Sequence, residues 1–352
     1  MISGSIDGLW RGFASDNYAG VHPEVLDALV AVNVGHQSAY GDDVVTEQAR
    51  SLVREHFGAD AEFFPVFNGT GANVVALQSV NQRWQSVICA ASAHIHVDEG
   101  GAPESMAGMK LWTVPTADGK LRPDDVQGQC FDMEFVHRAQ PGAVSITQSS
   151  EMGTVYSPDE VSALADVAHA NNLALHMDGA RLSNAAASLR VPVRAFTVDA
   201  GVDLVSFGLT KNGAMAAESV IVLNGDRVQG VDFLRKTSMQ LASKMRFLSA
   251  QFVAMLTDDL WLRSAGHANA MASRLHDGVG DLSGVTITQP VDANAVFVLL
   301  PEQVASRLQE RFHFYTWDQA TGEVRRMCAW DTTEGDVDDF VAAVRGEIAS
   351  GA

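Results

Sequence analysis

Apolar positions along the chain repeat with two periods, and the period switches at short polar or glycine-rich punctuation. At residues 23–32, Val25, Leu26, Leu29 and Val32 recur at helical spacing after Pro23, and residues 46–57 predict a second helix closed by Gly58. A strand at 63–67 then meets Asn68-Gly69-Thr70-Gly71 and a helix beginning near Ala72. Short apolar runs at 86–91, 110–114, 143–147, 173–177, 203–209 and 219–223 predict further strands. Their hydrophobicity is continuous rather than alternating, as in strands covered on both faces within a largely parallel sheet. Between two of them, Ser157, Pro158 and Glu160 make a capping box with proline at the first helical position, and the helix they start presents Val161, Leu164, Val167 and Ala168. That succession fits a β-α-β crossover.

Beyond residue 230 the pattern becomes that of long helices, with Leu241, Met245, Leu248, Phe252 and Met255 on one stripe and another helix after Asp258 and Asp259. The remainder mixes short strands at 285–289, 295–300, 312–317 and 324–330 with a helix begun by Pro301. A final amphipathic helix carries Val337, Phe340, Val341, Val344 and Ile348. The expected fold class is α/β. An N-terminal segment, 1–22, precedes a large domain with a mostly parallel sheet, 23–255, and a smaller α+β domain, 256–352. No internal repeat or low-complexity tract interrupts this order.

Composition narrows the function. With 47% hydrophobic residues and 30 glycines, the 352 residues can bury the cores of about two domains. Lys plus Arg total 24 against 43 Asp plus Glu, a net charge of −19, which argues against a nucleic-acid partner. No apolar run approaches the roughly 18 residues of a membrane span. Asp7 and Arg11 stand where a signal peptide would carry its apolar stretch, so a cytoplasmic protein without membrane partners is expected. Cys89, Cys130 and Cys328 sit among apolar neighbours and read as buried small hydrophobes in a reducing compartment.

Three clusters could carry chemistry. Asn68-Gly69-Thr70-Gly71-Ala72-Asn73 brings free N–H groups, a hydroxyl and a helix N-terminus together, an arrangement that holds phosphate. It lacks the third glycine of a dinucleotide fingerprint and the lysine of a Walker loop, and alone it reads equally well as an ordinary turn. An apolar strand ending in Asp178-Gly179-Ala180-Arg181 places a carboxylate and a guanidinium where open α/β sheets bind ligands, although such an aspartate can also simply cap a helix. The apolar segment 202–210 delivers Lys211 to a loop, where partial desolvation would lower its pKa and make it a candidate Schiff-base nucleophile, although taken alone it reads better as a surface lysine at a strand end. Together they offer what pyridoxal phosphate requires: a phosphate cradle, a carboxylate for the pyridine nitrogen and an amine for the aldehyde.

Phe13-Ala-Ser-Asp-Asn17, Tyr40-Gly-Asp-Asp43, Asn68 to Asn73, Ala93-His-Ile95, His176-Met-Asp-Gly-Ala-Arg-Leu182 and Ser206-Phe-Gly-Leu-Thr-Lys211 closely resemble the threonine aldolases of the fold type I pyridoxal-phosphate enzymes, the low-specificity L-threonine aldolase branch above all. The resemblance implies a large cofactor-binding domain, a smaller C-terminal domain and retro-aldol cleavage of L-threonine or L-allo-threonine to glycine and an aldehyde. It implies that Lys211 bonds to the cofactor aldehyde, Asp178 partners the ring nitrogen, Gly69 and Thr70 hold the phosphate and His94 stacks on the ring. Arg181 falls near the ring oxygen and substrate carboxylate, and Ser15, Tyr40 and Arg325 fall at the substrate. Lys236 and Arg246 approach the phosphate, in part across a subunit interface, so a homo-oligomer, a dimer or dimer of dimers with shared active sites, is expected.

Many relatives carry Asn-Thr-His-Asn where this chain reads Gln148-Ser-Ser-Glu151-Met-Gly153, which removes a histidine often proposed as the base. His137, Glu151 and His94 are the candidates to replace it. His94, His96 and Asp98 would share one face of a strand and so resemble metal ligands, but no third histidine accompanies them, and no metal is expected. Another pyridoxal-phosphate lyase or a transaminase on the same scaffold, including β-elimination or a phenylserine-preferring aldolase, is the alternative.

Overall fold

The computed structural model describes residues 12–351; residues 1–11, with Asp7, Arg11 and the first half of the N-terminal segment, lie outside the described residues. Seven strands form the larger sheet: β1 (Glu62–Val66), β2 (Gln85–Ala90), β3 (Lys110–Val114), β4 (Gln140–Thr147), β5 (Ala174–Gly179), β6 (Leu204–Gly208) and β7 (Glu218–Val222). Their order is β1-β7-β6-β5-β4-β2-β3. The five strands from β6 to β3 run parallel, and β7 is antiparallel to both β6 and β1. Helices packed on the sheet bury it, which is why β5, β6 and β7 are buried at every position.

The crossover helix Pro158–Ala170 starts as its sequence predicts. Ser157 Oγ accepts from the Glu160 N–H at 3.2 Å, and Glu160 Oε2 accepts from the Ser157 N–H at 2.8 Å. Beneath the sheet an aromatic group joins distant segments. Phe57 meets Phe207 edge-on at 5.3 Å between centroids, Phe207 meets Trp261 at 6.1 Å and Phe63 meets Phe252 at 4.9 Å.

A second, antiparallel sheet has the order β10-β11-β9-β8, from β8 (Thr286–Ile287), β9 (Ala295–Leu299), β10 (Tyr315–Asp318) and β11 (Glu323–Met327). The helices Leu260–Val279 and Glu334–Gly351 contribute Leu275, Val279, Phe340 and Val344 to its core. Phe13 joins the same core: its N–H donates to His313 O at 2.7 Å, its carbonyl accepts from Met327 N–H at 2.8 Å and its ring packs 5.1 Å from Phe340. The described part of the N-terminal segment is thereby tied to the smaller sheet and led across to the larger one.

Two expectations are corrected. The stripe from Leu241 to Met255 is not one helix. A helix at Val231–Thr237 stops, Met239 turns left-handed at φ 61°, and the next helix begins at Arg246. The interruption is tertiary in origin: the Gln240 N–H donates to Arg235 O, and its Oε1 accepts from the Phe67 N–H at 3.0 Å at the end of β1. His94 and His96 lie in a helical turn, His94–Val97, rather than a strand, so the shared face expected of them does not form. No helix among the described residues is long and apolar enough to cross a membrane.

Candidate active site

Register brings the chemistry to one end of the parallel strands. Thr147 pairs with Asp178 and Asp178 with Ser206 across β4, β5 and β6. One step below, His176 is fully buried between two hydroxyls, with Nδ1 2.9 Å from Ser145 Oγ and Nε2 2.9 Å from Ser206 Oγ. Burial pulls its pKa down to about 4, so it is neutral near pH 7. Above it, Asp178 Oδ1 accepts from the Ala180 N–H at 3.0 Å and Oδ2 from Asn73 Nδ2 at 2.8 Å. Asn73 Nδ2 also donates to Glu99 Oε1 at 2.8 Å, and the same oxygen lies 2.8 Å from His94 Nδ1. That bond to Glu99 holds the His94 pKa above the usual imidazole value.

The phosphate-type loop is built as its sequence suggests. Asn68 caps the helix Gly69–Val80, its Oδ1 accepting from the Gly71 N–H at 2.7 Å, and Gly69 and Thr70 line the cleft at the helix N-terminus. Gly71 is there because Gln240 lies against it: a Cβ would fall 2.3 Å from Gln240 Cδ. Lys211 sits in the turn Thr210–Asn212 after β6. Thr210 Oγ1 anchors that turn by accepting from the Ala217 N–H at 3.1 Å, and Asn212 Nδ2 does so by donating to Trp261 O at 2.8 Å. Burial, with the positive charge of Arg181, lowers the Lys211 pKa from the ordinary ammonium value. Across the β6–β7 register Glu218 packs over Gly208; burial raises its carboxyl pKa to about 7.

Arg181 is held as a fork, Nε and Nη2 donating to Asp16 at 2.7 and 2.9 Å. Asp16 is itself buried. The guanidinium outweighs that burial and keeps the carboxyl below the usual range, while Asn294 Nδ2 adds a bond at 3.1 Å. Glu151 Oε1 accepts from the His94 N–H and the Thr147 hydroxyl, both at 2.8 Å, whereas its Oε2 is buried without a partner; burial raises the pKa.

The cleft encloses about 480 Å³ including its mouth, and Gly69, Thr70, His94, Glu151, Asp178, Arg181 and Lys211 all line it. An adjoining recess of about 190 Å³ is shared by Glu151, Arg181 and Arg325. The Arg325 guanidinium lies 4.5 Å over the Trp317 ring with its Nε unpaired, and burial, then Arg181, pulls its pKa to about 10. Ser15 caps the short turn Asp16–Tyr18, one residue from the Arg181 partner.

Four predicted residues lie elsewhere. Tyr40 and Lys236 are exposed, the Lys236 Nζ 5.4 Å from the Tyr40 ring, and half-buried Arg246 donates to Gly35 O at 3.5 Å. His137 is not brought to this cleft: it is exposed, edge-on to Phe135 at 5.1 Å, in a loop turned by left-handed Asp132 and Glu134. His96 and Asp98 are exposed as well, and the described residues contain no trio of His, Cys, Asp or Glu able to hold a metal. Sequence reasoning missed Asp16, Asn73, Glu99, Glu218, Gln240 and Asn294. Asp16 and Asn73 stood inside motifs already singled out, whereas the others have no local signal.

This strand order, with a lysine turn following the strand beside the one that ends in Asp178, is the architecture of the fold type I pyridoxal-phosphate enzymes. The beta-eliminating lyase family matches residues 12–303. A low specificity L-threonine aldolase from Pseudomonas sp. (strain NCIMB 10558) is 43% identical over 96% of this chain and 98% of its own length. One from Pseudomonas aeruginosa is 44% identical over 91% and 93%. A Leishmania major threonine aldolase structure superposes with a TM-score of 0.90 at 29% identity, covering 96% of this chain and 99% of that one. The chain belongs to the beta-eliminating lyase family, among the low specificity L-threonine aldolases.

Proposed function

We propose that the protein cleaves L-threonine, L-allo-threonine and related β-hydroxy-α-amino acids to glycine and an aldehyde, using pyridoxal 5'-phosphate. The observation that carries this is the convergence of a helix N-terminus at Gly69–Thr70, the Asp178 carboxylate and the buried amine of Lys211 on one cleft. These residues fit that cofactor. The helix terminus suits a phosphate, Asp178 a protonated ring nitrogen, and a lysine with a lowered pKa an aldehyde carbon. Cofactor of this kind, when bound, supplies the electron sink for the negative charge left at Cα.

The chain's own groups have the following parts. Asn73 fixes the Asp178 carboxylate, and Glu99 fixes the His94 ring over the cleft. Arg325, with an unpaired Nε in the recess, and Ser15, which caps the turn carrying Asp16, bind the substrate carboxylate and so orient the bond to be broken. Arg181, whose Nε and Nη2 are engaged by Asp16, supports this as a fixed positive charge. Glu151 takes the β-hydroxyl proton through its unpartnered Oε2, its raised pKa making it the stronger base, and His94 is the second acceptor in reach of the cleft. Exposed Tyr40 and Lys236 complete a neighbouring copy's site in a homo-oligomer, an assignment supported by the exposure of apolar Phe233 and Met239 on the same segment.

Purified protein given L-threonine or L-allo-threonine should release aldehyde and glycine in equal amounts and carry a visible cofactor band. Lys211→Ala should lose both band and turnover; retention of both would overturn the assignment. Glu151→Gln should lower kcat well below that of His94→Asn, and the reverse order would move the base to His94.

A further inference from the structure

The turn that follows β4 is held in place by most of its polar side chains. Gln148 grips the backbone of Tyr156, its Nε2 donating to the carbonyl at 2.9 Å and its Oε1 accepting from the N–H at 3.0 Å. Ser150 Oγ lies 2.6 Å from Thr154 Oγ1, and the Ser150 N–H donates to Thr154 O at 2.9 Å. Glu151 Oε1 is taken up by the His94 N–H and the Thr147 hydroxyl. Ser149 is the exception. It is only 2% exposed, yet its Oγ has no hydrogen-bond partner among the described residues. A buried hydroxyl without a partner is unfavourable, and a turn pinned on both sides of it leaves little room to relax.

The position of Ser149 gives this cost a purpose. Ser149, Glu151 and Arg181 are the residues common to the lining of the cleft and the lining of the Arg325 recess, so they form the neck between the two. Arg181 has Nε and Nη2 engaged by Asp16, and the Oε2 of Glu151 is an acceptor without a donor. With the substrate carboxylate at Arg325 and its β-hydroxyl given to Glu151, the β-oxygen lies at this neck. The neutral donor there with no other commitment is the Ser149 hydroxyl.

We propose that Ser149 is a specificity-determining residue: its hydroxyl donates to the β-oxygen of the substrate and turns the β-hydroxyl proton toward Glu151 Oε2. The inference rests on the retro-aldol reading given above. In that reaction the β-O–H bond breaks and its proton passes to Glu151. The electron pair left on oxygen forms the aldehyde C=O, and the pair of the breaking Cα–Cβ bond stays with Cα. Negative charge builds on the β-oxygen during these events, so a fixed donor stabilises the transition state more than the resting substrate. An amino acid lacking the β-hydroxyl leaves Ser149 unpartnered and is selected against.

Steady-state kinetics of the holoenzyme, with L-2-aminobutyrate as an inhibitor that is threonine without its hydroxyl, test this. Ser149→Ala should lower kcat/KM for L-threonine about 100-fold. The inhibition constant of L-2-aminobutyrate should not change. Ser149→Cys, which keeps the volume but donates weakly, should lose as much as Ser149→Ala. Undiminished turnover in either variant would overturn the proposal. So would an equal weakening of inhibitor binding, which would move Ser149 to the carboxylate or to the upkeep of the fold. If the native enzyme releases no aldehyde, the retro-aldol reading falls on its own, and titration of the cofactor band then decides the contact. A preference for L-threonine over L-2-aminobutyrate that Ser149→Ala erases sustains it, and equal affinity in the native enzyme overturns it.

Discussion

A carboxylate beside a phosphate cradle needs a reason. Glu218 is buried, lines the same cleft as Gly69, Thr70 and Lys211, and has its pKa raised to about 7 by burial. Below pH 7 it is neutral and compatible with a neighbouring phosphate; above it a negative charge appears where one is least welcome. We therefore expect cofactor affinity to fall about tenfold between pH 6 and pH 8, a loss that Glu218→Gln should flatten, as measured by equilibrium dialysis. The stability contribution of such a group has the same sign, present below pH 4.5 and lost as pH rises through 7. His176 works the other way. Its pKa falls from 6.5 to about 4, so the stability it contributes is complete above pH 6.5 and lost as pH falls towards 4. The loss is about 3 kcal/mol, and His176→Asn should remove it from the pH profile of thermal unfolding. Lys211 and Asp178 were legible because each ends an apolar run. Glu218 was not, because only the antiparallel register with Gly208 turns an ordinary strand residue into a site group.

Among elements, the helix Gly69–Val80 depends on a residue far along the chain. Gly71→Ala would force its methyl into the Gln240 side chain and disturb the Phe67–Gln240 bond. It should weaken cofactor retention in gel filtration while leaving the fold intact, and adding Gln240→Ala should restore part of it. Ser157→Ala should cost about 1 kcal/mol of stability in urea unfolding, through loss of a cap whose both halves are made. Most strands were readable within a residue or two, since continuous apolar runs with short turns leave few alternatives. The segment 238–245 was not, because its helical spacing is overruled by Gln240 reaching back to β1, and spacing carries no knowledge of such partners. Likewise 312–314 read as strand from apolar content, yet pairing begins only at Tyr315, and Phe314 fills the core instead.

For the whole molecule, Phe233 and Met239 are 79% and 71% exposed, an arrangement suited to coverage by another copy. Phe233→Asp with Met239→Asp should reduce the mass found by light scattering and, with Tyr40 and Lys236 then unshared, raise the concentration of cofactor needed for saturation. Assembly on the ribosome is constrained by a different feature, the edge of the large sheet. β1, which leads into the phosphate-type loop, is paired to β7, Val66 lying opposite Glu218. A growing chain therefore makes the loop early but cannot hold it until residue 222 has emerged, after Lys211 and the whole of β6. A chain interrupted before β7 would expose the apolar edges of both β1 and β6, ready to pair with those of other unfinished chains. The cradle is thus fixed only once the lysine that must face it has already been synthesised.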